Sequence, residues 1–207
     1  MSLYRKLIIV AAFPFVPLVG AVAQADSSAE ILQASLSSGD RPIEDVSDDA
    51  RRMPLEVLAF AGIEEGMTIL EMEAGGGYYT EILSRAVGSS GSIIMQNPPA
   101  FDGFNGEAVE ARLANNRLPN VTFSRVNFDE LDASDSSVDM VTWILGPHEL
   151  GFEPGGQNLG DPETTFAQIS RVLKPGGVFL AIDHSAAENS GIDAGGSLHR
   201  IDEGLVS

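Results

Sequence analysis

Residues 67–77 read Met67-Thr68-Ile69-Leu70-Glu71-Met72-Glu73-Ala74-Gly75-Gly76-Gly77. The run from Met67 to Met72 has the length and apolar character of a buried strand, and the glycines that follow set a turn. Tyr79 to Val87 then carries helical spacing and is closed by Gly88. A strand passing through glycines into a helix aims backbone N–H groups at the space before that helix, and bare glycines let a ligand approach the main chain. A phosphate-cradling loop ending in Gly-Lys-Ser/Thr is excluded because this loop has no lysine. The dinucleotide pattern G-x-G-x-x-G also fails, since the sixth position counted from Gly75 is Thr80.

Working outward, Ser92–Met95, Val121–Val126, Val138–Leu145 and Val178–Ile182 are further short apolar runs of strand type. Between them lie helical patterns over Asp48–Ala61, Glu107–Asn116 and Thr164–Leu173, and a tight turn Lys174-Pro175-Gly176-Gly177. Near-continuous apolar strands alternating with helices predict an α/β fold, a doubly wound, Rossmann-like, mostly parallel sheet covered on both faces. A length of 207 residues suits one domain of this kind. The absence of cysteine removes disulfide frameworks, thiolate metal sites and cysteine nucleophiles. A formal charge of −18 repels phosphate backbones and anionic headgroups, which argues against nucleic-acid and membrane-surface partners.

Glu71-Met72-Glu73-Ala74-Gly75-Gly76-Gly77 resembles the D/E-x-G-x-G-x-G first motif of class I S-adenosylmethionine-dependent methyltransferases. Val138-Asp139-Met140-Val141 looks like the entry to that family's fourth strand, and Arg171-Val172-Leu173-Lys174-Pro175-Gly176-Gly177-Val178-Phe179 like the turn into its fifth. The resemblance covers roughly residues 48–185. Asp-x-x-Arg-x-Met-Pro (48–54) and Leu-Ala-Phe-Ala-Gly (58–62) are similar to the exported, predicted-methyltransferase branch of the family.

The resemblance implies S-adenosylmethionine as cofactor and methyl transfer to a small-molecule acceptor. It places Glu71, Glu73, Ala74, Gly75, Gly76 and Gly77 around the amino-acid part of the cofactor. Gln96 and Asn97 fall at the ribose, Asn127 and Phe128 along the adenine edge, and Trp143 to Gly146 facing the methyl group. Glu73 stands where the family pattern has its first glycine, and Gln96 or Asn97 where it has an acid. These departures leave an alternative: a non-catalytic, exported binding or interaction protein that retains the fold.

The strand ends carry the remaining chemistry. The loop Gly146 to Gly156 is glycine-rich and holds His148 and Glu149, and the fifth strand ends in Asp183-His184. Topology gathers these four residues on one rim. His148 or His184 then serves as a base oriented by a carboxylate such as Glu149, or the group holds a divalent metal, or these are polar residues of a wetted rim. No metal is assigned on sequence alone. Tyr78 and Tyr79 either close over the cofactor or pack. Arg51 and Arg52 either meet an acidic substrate or pair with Asp48, Asp49 or Glu56.

Arg5 and Lys6, the uncharged run Leu7 to Ala25 and the small-x-small ending Ala23-Gln24-Ala25 have the order of a cleavable signal peptide over residues 1–25. It is followed by a polar arm (26–47) and the methyltransferase-like domain (48–207). The expected location is the periplasm or the exterior, with no membrane span after cleavage. The family sheet has two further C-terminal strands for which residues 185–207 leave no room, and His199-Arg200-Ile201-Asp202-Glu203 reads as the start of a helix. Either the chain is a fragment, or the fifth-strand edge is bare, in which case a homodimer paired through that edge is expected.

Overall fold

Strand alternation sorts the apolar residues of this chain into two cores, one on each side of a sheet. Ile69, Met140, Leu180 and Ile182 face one core, with Leu32, Leu58, Ile82 and Leu83. Their neighbours Leu70, Val141, Phe179 and Ala181 face the other, with Phe128, Trp143, Leu150 and Ile169. The structure, a computed structural model, describes residues 6–11, 28–59 and 61–206, the first of these segments as backbone only.

In chain order the elements are β1 (Lys6–Ala11), α1 (helical residues 28–36), α2 (Ile43–Arg52), α3 (Pro54–Leu58), β2 (Thr68–Met72), α4 (Tyr78–Val87) and β3 (Ser92–Gln96). They continue with α5 (Asp102–Leu113), β4 (Val121–Ser124), β5 (Val138–Ile144), α6 (Pro162–Val172), β6 (Leu173–His184) and the short α7 (Ala194–Leu198). The sheet order is β1-β6-β5-β2-β3-β4. The strands from β6 to β4 are mutually parallel, and β1 is antiparallel to β6. From β2 the chain moves outward through β3 to β4, then returns to β5 on the other side of β2. The crevice beyond the carboxyl ends of β2 and β5 is therefore the topological switch point, where folds of this kind bind ligands.

Several local expectations are revised. The helix read over Asp48–Ala61 is two helices, because Met53, ahead of Pro54, is forced out of the right-handed helical region and adopts φ 49°. The polar arm is helical over 28–36 and seats Leu32, wholly buried, in the core. The Lys174–Gly177 turn lies within the span of β6 as an irregularity: Val138 pairs with Leu173, but Met140 with Val178. His199 begins no helix. It caps the end of α7 at φ 48°, and Ile201 instead bridges Ser185.

The β6 edge is also not bare, since Lys6 to Ala11 pair with it from His184 to Phe179. Of the leader expected over 1–25, only these residues lie among those described; 1–5 and 12–25 lie outside them, as does Phe60 of the Leu-Ala-Phe-Ala-Gly motif. Among the described residues no helix is long and apolar enough to cross a membrane.

A buried ion network ties α2, α4 and α5 together. The fully buried Glu81 carboxylate accepts hydrogen bonds from Arg85 (2.6 Å), Arg112 (3.1 Å) and Arg117 (2.8 Å). Arg112 also pairs with Asp45 of α2 at 2.6 Å. Burial pushes Glu81 up, but the guanidiniums, Arg117 foremost, outweigh burial and hold it below its usual value. Removing the charge leaves the arginines without their shared partner, so Glu81→Gln is expected to cost about 3–5 kcal/mol in urea unfolding at neutral pH. Because the folded-state pKa is depressed, this stabilisation is present above about pH 4.5 and is lost as pH falls. The gap between wild type and variant therefore narrows in acid.

Candidate active site

The glycine loop leaves β2 at the switch point and is shaped by the end of β3. The Gln96 side-chain carbonyl accepts from Glu73 N at 3.0 Å, and its backbone carbonyl from Ala74 N at 2.9 Å. Asn97 grips Gly75 twice: Oδ1 accepts from Gly75 N and Nδ2 donates to Gly75 O, both at 2.9 Å. Gly75 and Gly77 take φ 58° and 83°. A side chain at Gly77 would press on Arg112 and Met95 at about 3.0–3.1 Å. Glu73 itself adopts φ 50°, a left-handed conformation that glycine takes freely and glutamate does not. The fold thus keeps a glycine-type backbone at the position where the pattern has glycine.

A cleft of about 410 Å³ opens in front of this loop. It is bounded by Glu71 to Gly76, by Asp45, Asp48 and Arg52, and by Asn105 and Arg112 of α5. A second cavity of about 650 Å³ shares Asn105 with it and runs past Asn97 and Phe101 toward Phe123 and Arg125. Glu71 is buried and accepts from the Thr80 hydroxyl, and burial pushes its pKa up to about 8. Glu73 is pushed well above the usual carboxyl range by burial, with the nearby Glu149 charge adding to the shift. Its Oε2 accepts from the indole Nε1 of Trp143 at 3.1 Å.

The remaining expected cofactor residues fall in two places. Gln96 is fully buried, its amide nitrogen donating to Val126 O, so its polar atoms and those of Asn97 already hold the loop. Phe128 and Trp143 are core: both are fully buried, with ring centroids 4.8 Å apart, so neither is a wall of the open cleft. Only the Trp143 nitrogen reaches the site, through Glu73. Asn127 is half-buried at the start of the turn after β4. The tyrosines serve packing, Tyr78 donating to Asp49 at 2.6 Å and Tyr79 to the Arg52 carbonyl at 3.1 Å. Arg51 and Arg52 both pair with Asp48.

On the neighbouring rim, the register of β5 on β6 brings His148 to Asp183. The Asp183 carboxylate accepts from His148 N at 2.7 Å and faces His148 Nδ1 at 2.9 Å. Burial lowers the His148 pKa, but hydrogen bonds to Asp183 and Glu149 outweigh it and carry the group up to about 10. At neutral pH this imidazole therefore holds a proton and is not a free base. His184 follows Asp183 along the strand and is directed to the other face. His199 joins His148 and Glu149 instead, its Nδ1 at 3.3 Å from His148 Nε2. Sequence reading missed His199, which lies 51 residues from His148, because no spacing links the two.

The parallel sheet with its switch point, the pinned glycine loop and the cleft before it have the architecture of the class I S-adenosylmethionine-dependent methyltransferase fold. The cofactor carries a cationic sulfonium, an ammonium and a carboxylate. The carboxyl groups of Asp45, Asp48, Glu71 and Glu73, the Arg52 guanidinium and the side-chain-free glycines suit those groups. Residues 51–199 match the model of the ubiE/COQ5 methyltransferase family, and the chain belongs to that family.

It is 29% identical over 133 residues to a ubiquinone/menaquinone biosynthesis C-methyltransferase from Marinomonas sp. (strain MWYL1), a match covering 62% of this chain and 47% of the relative. The protein of the same name from Psychromonas ingrahamii is 27% identical over 129 residues, covering 60% and 45%. The chain thus spans about half the length of the curated relatives it matches. Among solved structures, a SAM-dependent methyltransferase from Aquifex aeolicus shares the fold with a TM-score of 0.60 at 23% identity, covering 86% of this chain and 83% of that one.

Glu71 supplies a test of the site's electrostatics. Its folded-state pKa of about 8 lies above the unfolded value of 4.5, so the buried neutral acid favours folding below about pH 4.5 and that contribution is lost as pH rises through 8. Glu71→Gln keeps a neutral group there. Its unfolding free energy is expected to be flatter than wild type between pH 4.5 and 8, and higher at pH 9, in urea titrations of the ligand-free protein.

Proposed function

We propose that this protein transfers the methyl group of S-adenosylmethionine to a small-molecule acceptor outside the cytoplasm. The observation that carries the reading is the pinned glycine loop: Gln96 and Asn97 hold Glu73 to Gly75 over an open cleft at the switch point. S-adenosylmethionine supplies an electrophilic methyl group on a sulfonium. Gly75 and Gly76 line the place of its amino-acid end with no side chain in the way, with the Asp45, Asp48 and Arg52 side chains beside them. Glu73, fixed by Trp143, marks the end of the cleft nearest the rim. In-line displacement draws its rate mainly from proximity and alignment, which a pre-shaped cleft provides. The curated relatives are named as C-methyltransferases of quinone biosynthesis, which supports a small organic acceptor.

Calorimetric titration with S-adenosylmethionine and S-adenosylhomocysteine tests the reading. Binding tighter than about 100 μM, roughly −5.5 kcal/mol, is expected. No heat from either ligand with a cooperatively folded sample would leave a binding or interaction protein that keeps the fold. Glu73→Gly separates the two: a gain of affinity marks a decayed site, and a loss marks Glu73 as a working ligand.

Export through a cleavable leader at residues 1–25 is part of the proposal, supported by the charged, apolar and small-residue order of that segment. Cleavage removes β1 from the β6 edge, and an uncovered apolar edge pairs with another. Residues 26–207 are therefore expected to sediment as a dimer where the full chain sediments as a monomer. Identical monomers would show that the edge does not self-associate.

A further inference from the structure

The rim beside the cleft holds polar groups that methyl transfer by alignment does not use. His148 Nε2 lies 3.2 Å from Glu149 Oε1 and 3.3 Å from His199 Nδ1, and the third side of the triangle, His199 Nδ1 to Glu149 Oε1, is 3.9 Å. Tetrahedral zinc with N and O bonds of about 2.0–2.2 Å separates its donors by about 3.3–3.6 Å, which these sides bracket. One donor atom from each of the three residues lies within 4.8 Å of the others.

A second, independent observation comes from the Glu149 side chain. The residue is 8% exposed, yet its Oε2 is buried with no hydrogen-bond partner. Buried carboxylate oxygens are normally satisfied, so an orphan Oε2 on the carboxylate whose Oε1 faces the two imidazoles points to an absent partner that accepts lone pairs. Asp183 fixes the geometry from behind. As a carboxylate it accepts the Nδ1–H of His148, leaving Nε2 aimed at Glu149 and His199, the arrangement that orients metal-bound histidines.

The backbone is shaped to hold this grouping. A side chain at Gly195 would run into the His148 carbonyl, and one at Gly151 into the Ile192 carbonyl. Bare glycines at both positions seat α7 directly on the 147–151 turn, and this contact delivers His199 from the end of α7.

We propose that His148, Glu149 and His199 form a site for one divalent transition-metal ion of the zinc class, with Asp183 orienting His148. Two imidazoles and one carboxylate leave a fourth position open, which is the donor set of reactive rather than structural zinc. The His199 side chain is 59% exposed, so the open position is reachable from solvent. The metal takes the Nε2 lone pair in place of a proton. An oxygen or sulfur donor, from water or from an acceptor molecule, fits the open position. Metal binding here is independent of whether the cleft takes the methyl donor.

The test uses the full chain without a histidine tag, stripped of metal by a chelator and titrated with zinc and with cobalt(II). The expected result is one tight equivalent of zinc and the visible bands of four-coordinate cobalt. His199→Ala is expected to weaken zinc binding at least about tenfold and to abolish those bands, and Asp183→Asn to weaken it about 10–100-fold. X-ray absorption at the zinc edge of the wild-type complex, which depends on no variant folding, should show two imidazole ligands. The proposal is overturned if His199→Ala binds zinc as tightly as wild type with the same cobalt spectrum. An all-oxygen shell at the zinc edge, or no zinc binding by the wild type, overturns it equally.

Discussion

One buried carboxylate, Asp183, organises the functional end of this molecule. It sits at the end of β6 with 3% of its surface exposed and accepts from the backbone N–H of His148, from its own successor His184, and from the His148 ring. A charge this deep is tolerated only when its oxygens are satisfied, and breaking such an arrangement is costly. The three donors fix where the 147–151 turn leaves β5, and α7 then docks on that turn through Gly151 and Gly195. The parallel pairing of β5 with β6 is what brings the carboxylate and the turn together, with Ile144, the last residue of β5, opposite Ile182, the residue before Asp183.

A different kind of constraint acts on the other side of β2. Amide side chains do most of the holding of the glycine loop: Asn97 satisfies both backbone groups of Gly75, Gln96 accepts from Glu73 N while donating to Val126 O, and the Arg112 guanidinium adds a bond to Gly76 O. An acid at either position would accept but not donate, and the Asn97 Nδ2 to Gly75 O bond would be lost. The residues that depart from the ribose-binding pattern are thus the residues that shape the loop. The same loop keeps φ 50° at Glu73, a strain compensated by the bond from Glu73 to the Trp143 indole.

The fold was legible because its signals are local and agree. Apolar runs of strand length, glycines after β2 and the Leu-Lys-Pro-Gly-Gly turn each need only a few consecutive residues. The site was half legible. Glu71 to Gly77 could be placed from the strand–glycine–helix order, and His148 and Asp183 from the ends of strands that neighbour one another in this topology. His199 could not be found, since a short glycine-containing helix, Ala194–Leu198, delivers it, and such a segment has no periodicity to read. His184 was misplaced for a simpler reason: one step along a strand reverses the face, so of Asp183-His184 only one can look at His148. The aromatic residues were misjudged in the same way. Trp143 sits near the end of β5 and Phe128 in the turn after β4, places where a ligand wall and a core cap share the same sequence appearance.

Charge explains why the two halves of this end belong together. Glu71 and Glu73, buried at the cleft, hold protons that water would remove, while Asp183 and Glu149 on the rim face His148. So many carboxyl groups in a low-dielectric pocket cannot all ionise without a counter-charge, and on the rim that counter-charge is the imidazolium of His148. A sulfonium in the cleft and a divalent ion on the rim would each relieve that excess at a different place. A cationic ligand would find acceptors at this end of the sheet, whereas the guanidiniums that border the cleft, Arg52 and Arg112, are already paired with Asp48, Asp45 and Glu81.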